Sequence, residues 1–168
     1  MLNFRYAEAS DVDRYFKWAN DALVRRNSLI TEKIDFEDHV KWFTSKIENP
    51  DVYMYVFFDE NNMPVGQVII EKKAGWTSVG QSVSAEHRGK KYSSEMLTKS
   101  TNDFLSKFPK ETFISVVKAS NIASLKMAEN SGFNVLFLSN QQDHYLVLKG
   151  CNQNDQYFIN KAEELFNL

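Results

Sequence analysis

Six consecutive apolar or aromatic residues, Tyr53 to Phe58 (YMYVFF), stand about a third of the way along the chain. A run this short, with no polar residue in it, reads as a buried strand. The DENNMP that follows is rich in residues that tolerate turn geometry. Val65 to Ile70 is the next strand, and Trp76 to Ser84 another, past a turn at Gly75. The three segments read as an antiparallel meander. A sheet of this kind must bury its faces against other elements.

Those elements are legible on both sides of the meander. Leu2 to Ala7 alternates, with Phe4 and Tyr6 on one face, and reads as a short strand. Ser10 is the expected N-cap of a helix, with Asp13 three residues on and Val12, Tyr15, Phe16 and Ala19 at helical spacing. Asp35 caps a second helix whose Phe36, Val40, Phe43 and Ile47 share one face, and Pro50 follows its end. Beyond the meander, Ser93 or Ser94 to Phe108 is helical, with Pro109 as the stop. Thr112 to Val117 is a strand, and Ala123 to Asn130 is a helix closed by Gly132. Phe133 to Leu138 and Tyr145 to Leu148 form a hairpin around NQQD, and a helix over about Gln156 to Phe166 ends the chain. The order β, α, α, three strands, α, β, α, β, β, α is an α/β layout with a mixed sheet.

At 168 residues the chain fits one domain. The formal charge of -2 gives no bulk attraction to nucleic acid or to an anionic membrane. No apolar stretch approaches the ~20 residues of a membrane span, and the N-terminus lacks the pattern of a signal peptide. The lone Cys151 allows no internal disulfide, which fits a reducing, cytoplasmic setting. Three histidines and one cysteine give no metal-ligand spacing, so no metal is expected.

The stretch SVSAEHRGKKYSSEML, Ser82 to Leu97, carries the chemistry. A strand ends, a basic glycine-containing loop follows, and a helix begins. A helix N-terminus offers unpaired backbone N–H groups and partial positive charge, which suits a phosphate. Gly89 lets the backbone approach closely, and Arg88, Lys90 and Lys91 add charge. Together these describe a pyrophosphate cradle; taken alone, the segment is also compatible with a turn bearing a solvated basic face. In a second stretch, VVKASNIASLKMAENSGF, Asn121 sits where a strand yields to a helix and Ser124 is on its first turn. Both can bond an extended ligand lying between two strands, or Asn121 can simply cap the helix.

The two stretches together resemble the GNAT superfamily of N-acetyltransferases. Arg88-Gly89-Lys90-Lys91-Tyr92-Ser93 is similar to its R-G-x-G-x-[GA] loop, and Asn121-x-x-Ser124 with Gly132-Phe133 to its N-x-x-S…G-F motif. Lys91 and Ser93 depart from the small residues of that loop. The resemblance covers about residues 3 to 150, and residues 151–168 are then a helical extension. Phe158, Ala162, Leu165 and Phe166 would pack this extension on its own domain or on the second subunit of a homodimer.

The resemblance implies a mainly antiparallel mixed sheet, splayed between its fourth and fifth strands, with acetyl-CoA as co-substrate. It also implies direct attack of a neutral amine on the thioester. Backbone N–H groups near Ser82 and Val83 would polarise the carbonyl. Ala128 stands where many members carry the tyrosine that protonates the thiolate, leaving Tyr92 or water as candidates. A base is expected, directly or through water, yet the fourth strand, WTSVGQSVS, has no carboxylate. Glu71 and His39 are the candidate bases, and Gln81, Ser78 and Ser82 can position water only. A non-catalytic acyl-CoA-binding module is the alternative that the missing groups would suit.

The segment from Lys17 to Phe43 further resembles bacterial sugar-nucleotide N-acetyltransferases, including those of the pseudaminic-acid pathway. Their pattern is W-x-N-x-x-x-V-R, a loop, then H-x-x-W-F. Trp18, Asn20, Val24, Arg25 or Arg26, His39, Trp42 and Phe43 carry the match. The implied acceptor is a nucleotide-linked amino sugar. Arg25 or Arg26 would face its diphosphate, Trp42 would stack on a ring, and His39 would bond a phosphate or hydroxyl. Trp76 and Gln81 complete the expected acceptor contacts. A protein N-terminus or lysine is the alternative acceptor.

Overall fold

The computed structural model describes residues 1–137, 144–149, 156, 157, 159, 160 and 164. Asn3–Tyr6 forms the edge strand β1, followed by helices α1 (Val12–Ala19), α2 (Ala22–Asn27) and α3 (Phe36–Ile47). The meander is β2 (Val52–Phe58), β3 (Pro64–Lys73) and β4 (Trp76–Val83). Then come α4 (Tyr92–Lys107), β5 (Phe113–Lys118), α5 (Ile122–Asn130), β6 (Asn134–Phe137) and β7 (His144–Lys149). The sheet runs β1-β2-β3-β4-β5-β7-β6, with every pairing antiparallel except β4–β5. Strand β7 therefore inserts between β5 and β6, an arrangement the hairpin pattern alone does not specify.

The alternation of the meander divides the core between two faces. Val68 and Ile70 bury on one face with Met96, Leu97 and Phe104 of α4 and with Phe113 of β5. Met54 and Val56 bury on the other, with Tyr15 and Trp18 of α1 and Phe43 of α3. Phe104 is fully buried, and its loss to alanine would cost about 3–5 kcal/mol.

The first helix begins differently from the sequence expectation. Ser10 lies inside a short 3-10 turn, Ala9–Asp11, rather than capping α1. Asp11 takes over the local anchoring: it is buried, accepts from the Glu8 N–H at 2.9 Å and is clamped by Arg5 and Arg14. Helix α3 matches expectation, with Asp35 accepting from the N–H groups of Glu37 and Asp38. Helix α2, to which the sequence pattern assigns no element, forms because Asp21 caps the N–H groups of Leu23 and Val24.

In the tail, Gln156, Tyr157, Ile159, Asn160 and Glu164 are helical. The Tyr157 hydroxyl lies 3.6 Å from where a Cβ on Gly75 would stand, so this part of the tail rests on the β3–β4 turn. The NQQD turn, Cys151, Phe158, Ala162, Leu165 and Phe166 lie outside the described residues. No helix among the described residues is long and apolar enough to cross a membrane.

Candidate active site

Strands β4 and β5 pair only at Thr77–Phe113 and Ser78–Ile114. Beyond Ser78 the two diverge, while β4 remains paired to β3 from Trp76–Lys73 to Val83–Gly66 without a register shift. Antiparallel ladders alternate the direction of successive N–H groups. The Ser84 N–H bonds Val65 on the β3 side, and the Thr77 N–H bonds Thr112 on the β5 side. Counting along β4 from these anchors, the N–H groups of Val79, Gln81 and Val83 face the gap, and that of Ser82 faces β3. Of the two amides expected to polarise a carbonyl, Val83 is therefore directed into the gap and Ser82 is not.

The phosphate-type loop sits at the wide end of this gap. Gly89 has φ +78 and Lys91 φ +63, both left-handed. Gly89 adopts that conformation freely; Lys91 adopts it against its own side chain. The turn delivers the chain into α4, where Lys91 at the N-cap makes no side-chain capping hydrogen bond. By contrast, Asp21, Asp35 and Asn121 cap α2, α3 and α5. A sixteen-residue helix with an open N-terminus beside Arg88, Lys90 and Lys91 suits a diphosphate. Arg88 is not free: it ion-pairs with Asp21. Burial opposes the charge on Asp21, but the Arg88 hydrogen bond and the α2 N–H groups hold its carboxyl below the usual range.

Among the described residues, three cavities meet at Gln81 of β4. One, of about 270 Å³, runs from Arg88 and Ser93 past Leu23 and Val24 of α2 to Asn121 and Ser124 of α5. The second, about 210 Å³, fills the gap between β4 and β5 and includes Leu97, Asn121, Met127 and Ala128. The third, about 440 Å³, lies on the α1/α3 side, lined by Val24, Arg25, Ile34, His39, Trp42, Gln67 and Ile69 among others. Gln81 borders all three, and Ser82 borders the first and third. Two cavities on the side where the cofactor is expected and one on the side where the acceptor is expected thus share the wall where β4 splays.

The expected site residues divide accordingly. Ser82, Val83, Arg88, Ser93, Asn121 and Ser124 are brought together around the first cavity. Asn121 also caps α5, its side chain accepting from the Ser124 N–H at 3.3 Å. Gly89, Lys90 and Lys91 are exposed in the adjoining loop. His39 and Trp42 line the acceptor cavity. His39 is buried, its Nε2 lies 3.0 Å from the Val12 carbonyl, and burial lowers its pKa despite that hydrogen bond, so the ring is neutral near pH 7. Gln81 donates from Nε2 to Met127 Sδ at 3.1 Å.

Other expected residues are placed elsewhere or committed to structure. Glu71 is held by Lys46, with Nζ–Oε1 at 2.8 Å, and by Lys73. Burial raises its pKa, but these two lysines outweigh it and keep the carboxylate charged. It does not line the acceptor cavity, so it is not positioned as the base. Tyr92 lies beside His87, at 6.3 Å between rings, and borders neither cofactor-side cavity. Trp76 is buried at the far end of β4, away from the acceptor cavity. Arg26 is exposed and outside that cavity. Arg25 lines it but spends donors on the Ala19 carbonyl at 2.6 Å, the Ile30 carbonyl at 3.3 Å and Ser28 Oγ at 3.1 Å. Asn20 similarly clamps Ile34 through both backbone groups, so these residues shape the wall rather than project from it.

Two residues of the site carry no sequence signal. Gln67 on β3 stands opposite Ser82 in register, and Asp21 holds Arg88. Polar residues in mid-strand and at helix caps are ordinary in type. Only the cavity and the ion pair single them out.

Residues 1–134 match the family model described as the acetyltransferase (GNAT) domain. The chain belongs to this family and is an acetyl-CoA-dependent N-acetyltransferase. The fold is similar to that of spermidine N-acetyltransferase from Vibrio cholerae, solved with CoA and spermine. That structure has a TM-score of 0.77 at 14% identity, over 89% of this chain and 95% of that one. YncA from Salmonella typhimurium, solved with acetyl-CoA, gives 0.74 at 15% identity, over 92% and 96%. RimL, a ribosomal L7/L12 α-N-protein acetyltransferase solved with CoA, gives 0.73 at 16% identity, over 89% and 93%. No curated sequence matches the chain.

Proposed function

We propose that the protein transfers acetyl from acetyl-CoA directly to the primary amine of a nucleotide-linked amino sugar. The observation that carries the reading is the make-up of the acceptor cavity at the β4 edge. Its walls are largely apolar, half-exposed Trp42 offers a ring face, and Gln67 and Ser82 offer neutral polar groups. This combination suits a sugar ring, with one apolar face and several hydroxyls. The carboxylate among the residues lining it is Asp38, which is exposed and 3.8 Å from Lys41. A polyamine needs a negative partner for each ammonium it brings out of water, and this cavity is poorly supplied with them. The resemblance of the Trp18–Phe43 segment to sugar-nucleotide acetyltransferases supports the same class.

On this reading the pyrophosphate of acetyl-CoA lies at the open α4 N-terminus, and its thioester arm lies in the β4–β5 gap. The amine approaches from the α1/α3 side. Attack on the thioester carbon puts negative charge on the carbonyl oxygen, which the gap-facing N–H groups of Gln81 and Val83 stabilise. The carbon–sulfur bond then breaks. The proton lost by the amine nitrogen ends on the departing sulfur by way of water, since Ala128 supplies no acid.

The test is an acetyl-transfer screen in which UDP- and dTDP-linked 4-amino sugars are run beside peptides and polyamines. The reading expects turnover of a nucleotide amino sugar. Turnover of peptides or polyamines alone would sink it.

A further inference from the structure

Two buried polar atoms on the acceptor side have no hydrogen-bond partner among the described residues: Gln67 Oε1 and Ser82 Oγ. Each residue is only 8% exposed. They stand directly opposite each other on β3 and β4, on the face that also carries Ile69 and Gly80, and both line the acceptor cavity. Leaving such groups unpaired is destabilising, so their persistence side by side points to a ligand that satisfies them. Close contact at Gly66 fixes their relative position. A Cβ there would stand 2.4 Å from the Ser82 carbonyl oxygen and 2.8 Å from Met96 Cε, so β3 and β4 approach here in a way a larger residue would prevent.

We propose that Gln67 Oε1 and Ser82 Oγ hold the amino group of the acceptor, and that this pair selects weakly basic primary amines. The proposal rests on the acceptor-cavity reading above and names its specificity element. A primary amine carries N–H donors that the two oxygens accept, leaving the nitrogen lone pair for the thioester carbon. The terminal amide of glutamine turns about a soft torsion, so Oε1 can follow the amine. The Ser82 hydroxyl can also pass the amine's proton to water. Neither group is ionisable in the working range, so neither gives the large preference for an ammonium that a carboxylate would give. The site therefore favours an amine that is already substantially neutral. An amine on a sugar ring, weakened by neighbouring oxygens, fits; the terminal amine of an alkyl polyamine fits less well.

The experiment compares wild type, Gln67→Leu, Gln67→Glu and Ser82→Ala. CoA release is followed with a UDP-linked 4-amino sugar, a glycine-terminated peptide and spermidine, and acetyl-CoA affinity and Tm are measured for each protein. Gln67→Leu is expected to lower kcat/KM for the accepted amine by tenfold or more. It should leave acetyl-CoA affinity unchanged and raise Tm, because an unpaired buried oxygen is removed. Gln67→Glu is expected to move the ratio of spermidine to weak-amine turnover toward spermidine, and Ser82→Ala to lower kcat/KM without altering that ratio. If the peptide replaces the sugar as the accepted substrate but the variants still behave this way, the sugar reading fails and this one stands. Unchanged kcat/KM in Gln67→Leu, an unmoved ratio in Gln67→Glu, or no turnover of any of the three amines by wild type would overturn it.

Discussion

Arg88, from the loop that leads into α4, donates to the carboxylate of Asp21 at 2.5 Å. Asp21 is at the same time the N-cap of α2, so one ion pair joins the Arg88–Lys91 loop to the helix that lines both the cavity beside Arg88 and the cavity beside Trp42. The carboxylate competes with a diphosphate for the same guanidinium. Asp21→Asn keeps a capping side chain but removes the competing charge. It is expected to tighten acetyl-CoA several-fold, whereas Arg88→Ala weakens it about tenfold, the scale of a charge-assisted hydrogen bond. Calorimetry with acetyl-CoA checks both, and weaker binding in Asp21→Asn would contradict the competition.

Lys91 occupies φ +63 at the N-cap of α4. The left-handed conformation costs a non-glycine residue about 1–2 kcal/mol, of which the greater unfolded-state freedom of glycine takes back a part. Lys91→Gly is expected to raise Tm by about 2–4 °C and to weaken acetyl-CoA slightly through the lost charge. A lower Tm in a thermal melt would show that the Lys91 side chain stabilises the loop in some other way.

His39 supplies a pH dependence. Burial lowers its pKa in the folded state from the ordinary 6.5. Below that ordinary value the unfolded chain takes up a proton that the folded chain resists, so stability is full above about pH 6.5 and falls as the pH drops toward the folded value. His39→Gln is expected to be less stable at pH 8 but to lose less on going from pH 7 to pH 5. Urea melts at the three pH values measure this, and equal losses in the two proteins would mean that His39 is not the group responsible.

Much of this molecule is written in local pattern. The meander follows from YMYVFF and its neighbours. The Gly89 turn into α4 and the Asn121 cap of α5 follow from residue types whose backbone behaviour is nearly obligatory. What was not legible depends on contacts between distant segments. Arg25 reads as a free cation until the carbonyls of Ala19 and Ile30 are found on it. Glu71 reads as a spare carboxylate until Lys46, from α3, reaches it. Trp76 lies on the right strand but at the closed end, because β4 and β5 stay paired there and separate only after Ser78. Gln67 carries no local signal, because its significance comes from Ser82 standing opposite it with an Oγ that has no partner among the described residues.

On the proposed function, acetyl passes directly across β4, from the gap shared with β5 to the cavity beside Trp42, with no enzyme-bound acyl group. Ser82 makes the alternative concrete, since its hydroxyl lies at the junction and a double-displacement route would acetylate it. Initial velocities measured while acetyl-CoA and the accepted amine are varied together decide between the two. Direct transfer predicts intersecting double-reciprocal lines and no acetyl group on Ser82 after incubation with acetyl-CoA alone. Parallel lines, with a mass increase of one acetyl group at Ser82, would contradict the account.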